Sequence, residues 1–508
     1  MLGPNVISHL IGIALVTIAF LVFGRGIVRR SKGKSFNPMP AFLLILTALG
    51  YQIFYPEALL TNRIGHLLLD FGVGMVMAAG YLWLNRERAK MFWVPGALGI
   101  IAAGVVYLFS FVVNSWGDMR NNPETIELLV ELGEDDDVSE IKHILRKYCA
   151  HAEQAFPNVD LSEDADLAKY YLVYVDSAKK DPLMMELRND RENVDQLDLN
   201  HPVSLIKPTL SDVQRKSPSN YIANDPMLKN QWYAQSLQYN EVHKMLKGKS
   251  PKKKVKVAVV DTGVDKDHED LGSVYQKSNT DGDYDKHSHG THCAGLAGAA
   301  TNNGKGVGSL NWDGEFITLT GYPALDDQGR GTDQRVAKAI IDAAESGADV
   351  ISMSLGGFAP FGAPKAQVDA IKYARKLGAI VVVAAGNSND DARKYSPANI
   401  KGVITVSAVD EKLNKASFSN TNTKLKMPIA APGVNILSSV PSSKYQSYNG
   451  TSMATPIVAG LVGMLKSFNP DLTTEQVYDI LKSSGTKVKD SGKVGKVINP
   501  LEALKQVQ

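Results

Sequence analysis

From about Asp225 to the C-terminus, short apolar runs rich in β-branched residues alternate with helical spacing: VKVAVV, THCAGLAG, FITLTG, DQRVAKAIIDAAESG, DVISMSL, AQVDAIKYARKLG, AIVVVAAG and VITVSAV. A strand buried on both faces reads as an apolar run, and intervening helices cover those faces, so the pattern dictates an α/β fold with a parallel sheet. Reactive groups in such folds collect beyond the carboxyl ends of the strands. Asp261 stands at such an end, directly after VKVAVV, and Gly263 permits a tight turn there.

Asp261, Thr262 and Gly263 fit two chemistries. A dyad of carboxylates sharing a proton needs a second Asp-Thr-Gly or a dimer, and belongs to all-β proteins. The chain has one copy, in α/β surroundings. A Ser-His-Asp arrangement needs a histidine and an activated serine. Three of the ten histidines fall within HSHGTHCAG, where Gly290 and small residues follow His289 into a helix. A histidine there can turn Nδ1 to an acid and Nε2 to a nucleophile. In YNGTSMATPIVAGLVGML, Ser452 opens an apolar helix and Gly450 permits close approach of a carbonyl. The helix N-terminus supplies partial positive charge where an oxyanion develops, and Asn387, after AIVVVAA, can donate its amide to the same place. Each piece alone is an ordinary turn or cap residue. Together, in the order Asp, His, Ser, they point to acyl transfer.

The stretches VAVVDTGVDKDHEDL, HGTHCAG, SMSLGG, AAGN and NGTSMATPIVAG resemble the motif set of the subtilisin-like serine proteases, and Cys293 in HGTHCAG is similar to the thermitase and proteinase K branches. The resemblance spans about Asp225 to the C-terminus. It implies a serine endopeptidase in which Asp261 stays ionised and orients the imidazole, His289 is general base then acid, Ser452 is the nucleophile and Asn387 completes the oxyanion hole. His292 would be structural. Ser354, Leu355 and Gly356 would form one substrate-binding edge, and Gly329, Arg330 and Gly331 the other. Tyr395 would reach the floor of the primary specificity pocket and exclude large residues. Structural calcium is implied as cofactor, held by Asp225, Asp270 and Asn303 with the carbonyls of Ala300, Lys305 and Val307, a hard-oxygen shell. Ile457 replaces the family's usual histidine, and LTGYPALDDQGRG departs from its Val-rich strand.

Upstream the composition changes twice. Residues 1–114 hold four apolar stretches, Val6 to Phe23, Ala41 to Leu60, Ile64 to Leu84 and Met91 to Val113, each about the length that crosses a hydrocarbon core of ~30 Å. Arg25, Arg29, Arg30, Lys32 and Lys34 follow the first, the wrong flank for a cleaved signal peptide. Cations in the first and third loops place those loops in the cytoplasm, so the expectation is an integral protein of the cytoplasmic membrane with its catalytic domain outside. His66 and Asp70 in the third span read as an interfacial hydrogen-bonded pair or an ion site.

Residues 115–217 read as a small acidic α+β module: TIELLVEL and KYYLVYV as strands, VSEIKHILRKYCAHAEQAF as helical spacing with Ser139 as N-cap, and Glu134 to Asp137 complementing the helix dipole. Its position and order resemble a subtilase propeptide that blocks the cleft, with cleavage between about Asn200 and Asn224. The catalytic domain is then 218–508. Cys149 and Cys293 are too few for a disulfide framework and are expected unpaired. Net charge of +2 with mixed signs gives no basic nucleic-acid footprint, so the expected partners are a peptide or protein substrate and the membrane. The basic run KGKSPKKKVK reads as a solvated loop or a contact for anionic lipid. The competing function is a membrane sensor or transporter whose protease-like domain only binds peptides; the intact Asp261, His289, Asn387 and Ser452 argue against it.

Overall fold

The computed structural model describes residues 124–508, apart from 134, 160, 161, 163, 206–208, 211–219 and 279. The four apolar stretches, with His66 and Asp70, lie outside the described residues. Among the described residues no helix is long and apolar enough to cross a membrane.

Residues 125–199 build a four-stranded sheet in the order His151–Gln154, Tyr170–Asp176, Thr125–Leu132, Val194–Leu199, its outer pairs antiparallel. Helices Val138–Lys147 and Lys180–Asn189 turn Ile141, Ile144, Leu183 and Leu187 into one core with Leu128, Val130, Val173 and Val175. The N-cap of the first helix is Asp137 rather than Ser139: Asp137 has extended backbone and its carboxylate accepts the Ser139 N–H. The helix also ends sooner than its spacing suggests. Cys149 takes a left-handed φ of 54°, and His151–Gln154 pairs as a strand with Tyr171–Tyr174.

In the second half seven parallel strands lie in the order Lys496–Val497, Pro428–Pro432, Ile404–Val409, Ile380–Ala384, Val350–Met353, Val255–Asp261, Ile317–Pro323. The expected parallel α/β sheet is therefore present. Its central strands are almost wholly buried, which is why they read as unbroken apolar runs. Pro428–Pro432 carried no strand signal, because proline lacks a ladder donor; here both prolines sit at the strand's ends. Helices His289–Gly298 and Thr451–Phe468 pack together against the sheet, and Asp333–Glu345 and Lys365–Lys376 form a second pair. Thr451–Phe468 is buried along its whole length, a sequence with no polar face that is stable only inside a core.

The basic run before the first strand is tied to the domain. Lys253 pairs with Asp349 at 2.5 Å and Lys256 donates to Ser346 O. Cys149 is exposed and Cys293 buried, both free thiols.

Candidate active site

Asp261 and His289 meet because the strand Val255–Asp261 and the helix from His289 end side by side. Both side chains are fully buried, and His289 Nδ1 lies 2.7 and 2.9 Å from the two Asp261 oxygens. Burial of the ring opposes its protonation, but the Asp261 carboxylate outweighs that and raises the imidazole above its ordinary range. Gly290 is required at this junction: a Cβ there would stand 2.0 Å from Gly263 O and 3.2 Å from Asp261 Cβ.

Ser452 occupies the first turn of Thr451–Phe468, the helix packed against the one from His289. Its hydroxyl donates to Ser354 O at 3.1 Å, and His289 Nε2 is buried with no partner among the described residues, so the serine–histidine hydrogen bond is not formed in this rotamer. The turn itself is fixed by Pro456, which has no N–H to offer the Ser452 carbonyl four residues back. That carbonyl accepts instead from Ser354 Oγ at 2.8 Å and Cys293 Sγ at 3.4 Å. Burial holds the Cys293 thiol above its usual range. His292 is fully buried: burial pushes its imidazole down to about 3, Nε2 hydrogen-bonds the Ile436 and Gln446 carbonyls, and the ring stacks on Tyr448.

Asn387 follows the strand Ile380–Ala384. Its Oδ1 accepts from Thr451 N at 2.9 Å and Thr451 Oγ1 at 2.8 Å, which leaves Nδ2 as its donor beside Gly450. Sequence reasoning passed over Thr451, and also Asn420, whose amide holds this loop through Ser388 N, Asp390 N and Ala385 O. Neither carries a sequence signal, since both act by hydrogen bonds to groups distant in the chain. Ser354, Leu355, Gly356, Asn387, Tyr395 and Ser452 line one small cavity of about 30 Å³. Tyr395 thus lines a cavity shared with Ser452.

The second edge is occupied by the chain itself. Pro202–Ser204 pairs antiparallel with Arg330–Thr332, Val203 opposite Gly331, and Leu205 N donates to Gly329 O at 2.8 Å. Val203 and Leu205 are buried while Pro202 and Ser204 face out. Beyond 206–208, Thr209 and Leu210 pair with Asn449 and Tyr448, just before Ser452. The Arg330 side chain points to solvent and meets Asp326 at 3.6 Å. The module holds this segment in place by docking on two helices: Lys365 Nζ lies 2.6 Å from Glu131, Tyr170 donates to Asp369, and Gln334 Nε2 donates to Ala155 O. At the same contact His201 N and Nδ1 each lie 3.2 Å from Asp333 Oδ2.

The six residues expected at a calcium site come together. Asp225 accepts from Asn302 N and Asn303 N, Asp270 from Asn303 Nδ2 and Val307 N, Asn303 Oδ1 from Lys305 N, and Ala300 N donates to Asp270 O. Both carboxylates are buried, and burial pushes each up to about 6. Among the described residues no cationic side chain pairs with either acid, and amide N–H donors meet them, so two buried carboxylates are left whose charge a hard divalent cation fits.

The sequence profile of the subtilase family matches residues 252–496. Thermitase of Thermoactinomyces vulgaris is 38% identical over 277 residues, covering 52% of this chain and 95% of thermitase. Subtilisin DY of Bacillus licheniformis is 39% identical over 258 residues, 50% of this chain and 91% of that protein. A thermophilic serine proteinase of Bacillus sp. (strain AK1) is 38% identical over 287 residues, 53% and 69%. A solved protease from Pseudoalteromonas arctica PAMC 21717 superposes with TM-score 0.50 at 30% identity, covering 56% of this chain and 99% of its own.

Proposed function

Since this chain belongs to the subtilase family and is a serine endopeptidase, we propose that Asp261, His289, Ser452 and Asn387 carry out its reaction, and that its own residues 202–210 are its first substrate. The observation that carries this reading is the buried Asp261–His289 pair at 2.7 Å, with the helix from His289 packed on the one whose first turn carries Ser452. Rotation of the Ser452 side chain moves its hydroxyl from Ser354 O to His289 Nε2, the ring nitrogen that lacks a partner. His289 takes the proton as Oγ attacks the peptide carbonyl, and Asn387 Nδ2 with the helix N-terminus receives the oxyanion. His289 then protonates the leaving amine, and an acyl-enzyme remains. Water attacks it with His289 again as base.

Peptide substrates lie along Gly329–Gly331 as the chain's own segment does, with aliphatic side chains buried at alternate positions, like Val203 and Leu205. The module is a propeptide: its segment Pro202–Ser204 lies along that edge and Thr209–Leu210 pairs just before the nucleophile, and the bond cut lies between about Asn200 and Asn224. Asp225, Asp270 and Asn303, with the carbonyls of Ala300, Lys305 and Val307, would hold calcium, whose charge would stabilise the fold. Before that cut, the apolar stretches of 1–114 anchor the chain in the cytoplasmic membrane, its catalytic domain outside.

Ser452→Ala tests the reading. We expect the variant to fold, to resist a fluorophosphonate probe that labels the wild type, and to accumulate as the uncut chain. Peptide hydrolysis retained by that variant would sink the assignment, and a wild-type chain left intact in active preparations would remove the propeptide.

A further inference from the structure

Asp285 stands four residues before His289 and is buried. Five donors converge on its carboxylate. Oδ1 accepts from Thr262 Oγ1 at 3.0 Å and from the His287 and Ser288 amides, both at 2.9 Å. Oδ2 accepts from Thr291 N at 2.9 Å and Thr291 Oγ1 at 2.7 Å. Thr262 extends the network in both directions: its N–H donates to Asp261 Oδ1 at 2.8 Å and its Oγ1 accepts from Gly290 N at 3.0 Å. One buried charge thus joins the strand end that carries Asp261 to the helix start that carries His289.

The helix needs such a group. The first amides of a helix have no intrahelical acceptor and are normally capped by the residue before it. That residue here, Ser288, has φ of 85° and makes no cap; its hydroxyl is 2.8 Å from Tyr448 Oη. Asp285 takes over the function, and its charge sits favourably at the positive end of the dipole.

We infer that Asp285 is a positioning residue for hydrolysis, setting the Asp261–His289 geometry and the aim of His289 Nε2. This rests on the triad as proposed above. A displacement of ~1 Å at a reacting group costs on the order of 100-fold in rate, and loosening this carboxylate frees both partners at once.

Asp285→Asn keeps the volume and Oδ1 but turns an N–H donor toward the Thr291 amide. In the matured enzyme we expect kcat to fall about 10- to 100-fold with KM within about twofold. The acid limb of the pH–rate profile should shift, and the low-field proton resonance of His289 Nδ1–H should weaken. Thr291→Val removes one donor and should move kcat and the resonance the same way by less; the double variant should then fall short of the product of the two effects. Should Asp285→Asn fail to fold, Thr291→Val carries the same readouts alone. Folded variants with wild-type kcat, pH profile and resonance overturn the inference. A wild type that the fluorophosphonate does not label sinks the triad instead, which keeps the two failures apart.

Discussion

Replacing Asn387 examines the proposed oxyanion site most directly. Its Oδ1 is already taken by Thr451 N and Oγ1, so Nδ2 alone is free to donate, next to Gly450 and two residues before the nucleophile. Asn387→Ala removes that donor from where negative charge appears only in the transition state. Losing one such donor costs about 10² to 10³ in kcat, roughly 2.7 to 4 kcal/mol, a magnitude measured on subtilisin, a relative of this chain. KM should stay nearly constant, because the ground-state carbonyl gains little from it. The same change also breaks the Thr451 bonds, each worth about 1 kcal/mol of stability. Asn387→Asp separates the two effects: it keeps an acceptor for Thr451 while setting a carboxylate oxygen against the oxyanion. Its kcat should fall at least as far, with the melting point held closer to wild type. The assay is steady-state hydrolysis of a chromogenic peptide, normalised by titrating active Ser452. An alanine variant within about threefold of wild-type kcat, or one whose loss lies wholly in KM, would refute the reasoning.

Other consequences are checked as readily. Gly290→Ala should cost about 1 to 3 kcal/mol in stability and most of the activity, since the new Cβ meets Gly263 O at 2.0 Å; wild-type melting and kcat would contradict the close packing. Chelation should lower the melting point above neutral pH, by an amount matching about 2.7 kcal/mol when calcium is present at 100 times its dissociation constant, and Asp270→Asn should erase that response. A melting point indifferent to chelator counts against calcium. Docking of the module should weaken as pH rises. Burial raises the Glu131 carboxyl against the pull of Lys365 and pushes Asp333 up to about 6 despite His201. Both therefore favour their protonated forms in the docked state, a contribution complete below the ordinary carboxylate range and lost as pH passes about 6. Inhibition of the mature enzyme by added module, measured from pH 4 to 8, should follow that order; tightening with pH would reverse the sign.

Much of this was legible in the sequence, and the exceptions share a cause. The strand ending at Asp261, the small residues after His289 and the apolar helix from Ser452 all announce themselves within a few neighbours. Strand order does not, because it depends on crossovers that local spacing cannot encode. The pairing of Val203 with Gly331 joins segments far apart in the chain, and nothing in PVSL marks it as a cleft occupant. In DDDVS several residues are competent caps, and backbone geometry selects Asp137. Thr451 and Asn420 act through hydrogen bonds to other segments, and Asp285 through a fold that brings Thr262 onto its own loop and helix start, so their types alone say little.

Pro456 has a consequence for how the enzyme fails. Helix ends ordinarily fray on their own, at little cost and independently of the rest of the molecule. The turn bearing Ser452 is denied that freedom: its carbonyl is held by the end of one strand and by the neighbouring helix, through Ser354 and Cys293. Opening the turn means opening the sheet. Amide exchange at Thr455 should therefore proceed at the rate of global unfolding, and heat should extinguish activity and tertiary structure in a single transition, with no window of folded but inactive protein.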